Sequence, residues 1–173
     1  MIEKLTKNGG GGQKPTMLVI HAMGQNIDIG QVESDWFKKE KKIDHPVAIY
    51  HADEWLERDG TSAHFLIEPN GEIIKTRTTK KIAWHARGFN TNSVGIEVLV
   101  EGNWKYGSFK KRIKEDWVTE AQYTALIKMA KGIIDYWGIE EDRVVRHSDL
   151  SPVRKVDPGM GFKWEWFKEQ LKK

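Results

Sequence analysis

Residues 62–76 read SAHFLIEPNGEIIKT. Two short apolar runs flank Pro69-Asn70-Gly71, and Asn-Gly between apolar runs is a strong hairpin signal because both residues tolerate positive φ. This antiparallel hairpin must be fitted into a chain that otherwise alternates strands with helices. MLVIH (17–21), SVGIEVLV (93–100) and RVVR (143–146) are apolar runs of strand length, and AIY (48–50) is a candidate edge strand. Residues 119–138 give the clearest helix. Thr119 and Gln122 make a capping box, Tyr123, Leu126, Ile127, Ala130, Ile133, Ile134 and Trp137 form one apolar stripe, and Gly138 stops it. Val32, Trp36 and Phe37 have helical spacing ahead of a solvated KKEKK, and ADEWLERDG (52–60) gives one or two helical turns. The segment 162–172 reads as a terminal amphipathic helix with Phe162, Trp166 and Phe167 inward, and the basic run 105–114 reads as a loop. Alternation plus one hairpin implies an α/β fold: a single domain with a central mixed β-sheet flanked by helices. Residues 1–15, with four consecutive glycines, are expected to be a flexible arm on a domain spanning 16–173.

Composition narrows the chemistry. A chain of 173 residues, 39% hydrophobic and 31% charged, can bury a core. The net charge of +3 is too small to imply nucleic acid and suits an anionic polymer only weakly. With no cysteine, disulfides, thiolate metal sites and a cysteine nucleophile are excluded. Any metal must be held by histidine and carboxylate. No window is apolar for ~18 residues, so no membrane insertion is expected. The N-terminus lacks the apolar core of a secretory signal, so synthesis in the cytoplasm is expected. A monomer is expected.

Five positions could carry chemistry. Glu97 lies inside SVGIEVLV, and burying an unpaired carboxylate costs several kcal/mol, on the order given for isolated charges. It is therefore paired, metal-associated or functional, unless its strand face is exposed; the residues alone leave both open. His21 and His147 each end a short apolar strand. If those strands are parallel neighbours, the imidazoles meet, and Asp157 can return on the Pro-bounded loop as a third ligand. Two histidines and one carboxylate with an open position is a known catalytic zinc arrangement, although any one histidine taken by itself is more often a hydrogen-bonded structural residue. Lys155 is either a solvated lysine or an ammonium placed to stabilise an oxyanion. Trp84 and His85, in AWHARGFN, could line a groove. His64 alternates with apolar residues as a satisfied core histidine would, and His45 and His51 read as surface residues. Trp104, Tyr106 and Phe109 could stack on sugars, or belong to the core.

Taken in order, LVIHAMG, SAHFLIEPNGEI, AWHARGFNTNSVGIEV, TEAQYTALIKMAKGII and VVRHSDLSPVRKVDPGMGFKW resemble the zinc-dependent N-acetylmuramoyl-L-alanine amidase family. That family includes phage endolysins, wall-recycling amidases and peptidoglycan recognition proteins. The resemblance covers about residues 16–167. It implies a groove for peptidoglycan, one zinc ion on His21, His147 and Asp157, and hydrolysis of the amide between N-acetylmuramic acid and L-alanine. It implies that Glu97 is the acid/base carboxylate and that Lys155 assists the transition state. His85, with Trp84, falls at a cleft position and is expected to bind substrate. The sequence departs from the family where LVIHAMG lacks a His-Thr or His-His pair, and where SPVRKVDPG replaces Ala-Pro-Gly-Arg-Lys. The region 25–60 does not align with the family's motifs, and it lies where substrate walls are often built. The first expectation is a bacteriolytic phage endolysin acting on the wall after release from an infected host. A cytosolic muropeptide-recycling amidase is the second, and a non-catalytic peptidoglycan-binding protein the third.

Overall fold

The computed structural model describes residues 1–25, Leu56 and residues 60–173. The helix expected near Val32–Phe37, the strand AIY, most of ADEWLERDG, and His45 and His51 lie outside the described residues. Among those described, six strands make one mixed sheet: β1 (Ile2–Glu3), β2 (Met17–Gln25), β3 (Phe65–Ile67), β4 (Ile73–Lys75), β5 (Ser93–Asn103) and β6 (Val144–Arg146). Their order is β1-β4-β3-β5-β2-β6, and the only antiparallel pair is the hairpin β3–β4. The hairpin turn differs in detail from a two-residue Asn-Gly turn. Gly71 N–H donates to Glu68 O at 2.8 Å, Glu68 N–H donates to Glu72 O at 2.9 Å, and Gly71 alone has positive φ, at 83°. Pro69-Asn70-Gly71 is thus a three-residue connection with glycine in the left-handed position.

The period of two along β2 and β5 sorts the chemistry from the core. Leu18, Ile20, Ala22, Val94, Ile96, Val98 and Val100 join one large cluster. On the other face lie His21 and Met23 of β2 and Glu97 and Leu99 of β5, and His21 and Glu97 are register partners in adjacent parallel strands. Four helices follow: α1 (Tyr106–Arg112), α2 (Glu120–Trp137), α3 (His147–Leu150) and α4 (Trp164–Lys172). α2 and α4 cover the apolar face, with Leu126 and Phe167 fully buried. Thr119 and Gln122 form the expected capping box, and Gly138 closes α2 at φ 63°. Gln122 does more than cap. Its buried Nε2 donates to Ile67 O at 3.2 Å and Leu99 O at 2.7 Å, tying α2 to β3 and β5.

Four expectations need correction. The basic run 105–114 is not a loop: Tyr106–Arg112 is helical, because Phe109 supplies a buried anchor that packs over Gly24. β2 does not end at His21 but runs on to Gln25. Trp166 is not inward; it is 43% exposed and meets Tyr123 edge-on. The N-terminal arm is held against the sheet rather than hanging free. Ile2 pairs with Ile74, Thr6 N–H donates to Thr76 O at 2.9 Å, and the Arg77 guanidinium donates to Thr6 O and Gly10 O. The Gln13 amide then reaches Thr79 O and Ser93 O. Every glycine carbonyl and N–H is a hydrogen-bonding group, so the run binds through its backbone.

Candidate active site

His21 reaches the site from mid-β2, and His147 from the first residue of α3, just past the end of β6. The condition set by the sequence is met: β2 and β6 are parallel neighbours, with Ile20 opposite Arg146. Asp157 returns on the loop after α3. Lys155 N–H donates to Ser151 O at 2.8 Å, and Ser148 N–H to Asp157 O at 2.9 Å, so the loop folds back onto the start of its own helix. His21 Nδ1 then lies 2.9 Å from His147 Nδ1 and 3.3 Å from Asp157 Oδ2, and His147 Nδ1 lies 2.9 Å from Asp157 Oδ2. All three side chains are buried.

Burial and partners set the charges. Burial pushes the His21 imidazole down to about 4, although Asp157 opposes the shift. Burial also favours the neutral acid of Asp157, but the two imidazoles beside it, His147 first and then His21, overcome this and hold the carboxyl well below its ordinary range. Glu97 Oε1 sits 3.6 Å from His21 Nδ1. Burial first, then the Asp157 charge, push its carboxyl up to about 8, with Lys155 pulling the other way. This answers the open question about Glu97: it is buried, on the site face of the sheet.

The donor set fits a small borderline cation. Two imidazole nitrogens and a carboxylate oxygen turn toward one another with spacings near the ~3.3 Å tetrahedron edge implied by zinc bonds of ~2.0–2.1 Å. Three electron-rich atoms buried this close need a shared cation or proton between them. Their ligand atoms all fall within 4.8 Å of one another.

A cleft of about 300 Å³ opens over this group, lined by Glu97, Lys155, Trp84, Trp104 and Tyr106 among others. Trp84 is 43% exposed, as a groove wall should be. Phe109 is core, whereas Tyr106 is exposed at the rim. His85 lies deeper, with Nδ1 3.0 Å from His21 Nε2 and Nε2 3.1 Å from Ser93 Oγ. His64 is the satisfied core histidine: Gly95 N–H donates to its Nδ1 at 3.0 Å, and its Nε2 is 2.9 Å from Lys81 O. Sequence reasoning passed over Ser93, the first residue of SVGIEVLV. Its only signal is a small polar residue opening a buried strand.

Two imidazoles and a carboxylate in a cleft beside a second carboxylate are the residue types that catalytic zinc sites draw on. The chain matches the family model described as N-acetylmuramoyl-L-alanine amidase over residues 11–160. It is 34% identical over 170 residues to the 1,6-anhydro-N-acetylmuramyl-L-alanine amidase AmpD of Haemophilus influenzae, covering 92% of this chain and 84% of that one. The endolysin of Enterobacteria phage T3 is 28% identical over 129 residues, covering 72% of this chain and 78% of the phage protein. The solved structure of the amidase LysC from Clostridium intestinale superposes with a TM-score of 0.68 at 24% identity, covering 99% of this chain and 96% of that one, a likeness of fold. The chain belongs to the N-acetylmuramoyl-L-alanine amidase family.

Proposed function

We propose that this chain hydrolyses the amide between N-acetylmuramic acid and L-alanine in soluble 1,6-anhydro-muropeptides. The observation that carries the amidase reading is the convergence of His21, His147 and Asp157 beside Glu97 on one face of the sheet. Zinc on those three residues would supply Lewis acidity, polarising a carbonyl and acidifying water. Glu97 Oε1 takes a proton from the attacking water as the new C–O bond forms at the lactyl carbonyl carbon. Lys155 stabilises the negative charge that develops on the carbonyl oxygen. Glu97 then returns the proton to the alanine nitrogen as the C–N bond breaks, giving a free carboxyl group and a free amine. Trp84 and the aromatic rim offer flat apolar surface to the sugar.

The preference for soluble anhydro-muropeptides over intact wall reverses the order favoured from sequence alone. It is supported by the anhydro-muramyl amidase from Haemophilus influenzae, matched at higher identity and over more of the chain than the phage T3 endolysin. The endolysin relative keeps intact wall as the second reading. Among the described residues, no helix is long and apolar enough to cross a membrane. The test is to offer the zinc-loaded protein a purified anhydro-muropeptide and purified sacculi in parallel, and to follow new L-alanine amines. Release from the soluble substrate alone supports the proposal. Comparable release from sacculi supports the second reading, and release from neither overturns both.

A further inference from the structure

The histidine cluster extends one residue past the three ligands. His85 Nδ1 faces His21 Nε2 at 3.0 Å, and His85 Nε2 faces Ser93 Oγ at 3.1 Å. Ser93 Oγ is in turn 2.6 Å from Phe89 O. The last contact gives the chain a direction. A carbonyl only accepts, so the single Ser93 hydroxyl proton goes to Phe89 O. Ser93 Oγ then faces His85 as an acceptor, and His85 Nε2 must carry a proton. In a neutral ring this leaves His85 Nδ1 as an acceptor, which takes the Nε2–H of His21. We infer that His85 and Ser93 are positioning residues for the metal centre: relayed through His85, the Ser93 hydroxyl holds His21 in its Nε2–H tautomer, with the Nδ1 lone pair turned toward His147 and Asp157. This rests on the metal centre proposed above and deepens it.

The surroundings are built for the relay. A side chain on Gly95 would place its Cβ 2.4 Å from His85 Nδ1, so the ring occupies space that only glycine leaves. Asn90 Oδ1 accepts from the backbone N–H of both His85 and Ala86, at 3.0 and 2.7 Å, and fixes where the ring emerges. Ser93 is fully buried, and its carbonyl is held by Gln13 of the N-terminal arm. Both His85 ring nitrogens are thus engaged inside the protein, which leaves no free ring nitrogen to bond substrate. A ligating imidazole whose other nitrogen is fixed in this way is better oriented and more basic toward the metal.

The test compares wild type, Ser93→Ala, His85→Phe and His85→Asn. Zinc affinity is read by chelator competition, KM is read on the zinc-saturated enzymes, and the fold is checked by circular dichroism. Imidazole nitrogen NMR of the metal-free wild type reads the His21 tautomer. The inference predicts Nε2–H at His21. It predicts roughly 10–100-fold weaker zinc binding in Ser93→Ala and His85→Phe, partial recovery in His85→Asn, which keeps an acceptor near the lost Nδ1, and unchanged KM. Unchanged zinc affinity with a raised KM would make His85 a substrate-binding residue and overturn the inference, as would Nδ1–H at His21. If His85→Phe does not fold, Ser93→Ala, which removes one oxygen, decides between these outcomes. A wild type that binds no zinc overturns the metal centre itself and the inference with it. Equal binding by all four proteins overturns the inference alone.

Discussion

Acid should destabilise this protein through a histidine that has no part in the chemistry. His64 is fully buried, and its ring is locked in the neutral form with Nδ1 accepting from Gly95 N–H and Nε2 against Lys81 O. A second proton would have to sit on Nδ1, displacing the Gly95 bond. Burial is the main cause that lowers this imidazole from 6.5 to about 4, with Arg77 adding to the shift against the Lys81 carbonyl. The sign follows from proton counts. Between the two values the unfolded chain binds a proton at His64 that the folded chain refuses, so stability is complete above the unfolded pKa and is lost as pH falls. Linkage at 1.36 kcal/mol per unit gives a loss of about 2 kcal/mol by about pH 5 and about 3 kcal/mol by about pH 4. His64→Gln keeps one acceptor and one donor but cannot titrate. The assay is urea denaturation of wild type and variant, both metal-free, at about pH 7.5 and about pH 5. Other titrating groups are common to both proteins and cancel in the difference. The wild-type stability advantage should shrink by about 2 kcal/mol on acidification. A difference that does not move with pH would refute the locked neutral ring.

Glu97→Gln should lose roughly 10²–10⁴-fold in kcat, the span for a general acid–base group, with zinc still bound; wild-type turnover would remove Glu97 from the mechanism. Because the Glu97 carboxyl is pushed up to about 8 by burial and Asp157, and only its ionised form can take a proton, kcat/KM in wild type should rise with pH across that group's ionisation. A bound cation shifts that rise to lower pH, and a pH-independent kcat/KM would contradict the assignment. Gln122→Ala strips Ile67 O and Leu99 O of a buried donor and breaks half of the α2 capping box, which should cost about 2 kcal/mol in urea denaturation. A cost below ~0.5 kcal/mol would show that Gln122 does not tie α2 to the sheet.

The elements legible in the sequence are those whose local signal agrees with their packing. The Asn-Gly hairpin and the capped, striped helix 120–137 are of this kind. α1 was hidden because one buried residue, Phe109, anchors a helix that is otherwise basic and polar. The end of β2 was misplaced because the apolar run MLVIH stops at a histidine, although Ala22 and Met23 continue the strand's alternation. The arm was read from its glycines, whose bonds to the sheet run through backbone groups that no side-chain pattern reveals. The site divides in the same way. Neighbouring parallel strands bring His21 and His147 together once the sheet order is known, but periodicity does not fix that order. Ser93 lies at a strand start and His85 in a loop, and only tertiary folding makes them neighbours.

Anomalous diffraction at the zinc edge from crystals of the zinc-loaded protein tests the central claim most directly. The account predicts one peak per chain, bound by Nδ1 of His21, Nδ1 of His147 and a carboxylate oxygen of Asp157, with Glu97 beside it but not a ligand. No peak between those residues, or zinc held elsewhere on the chain, would contradict it.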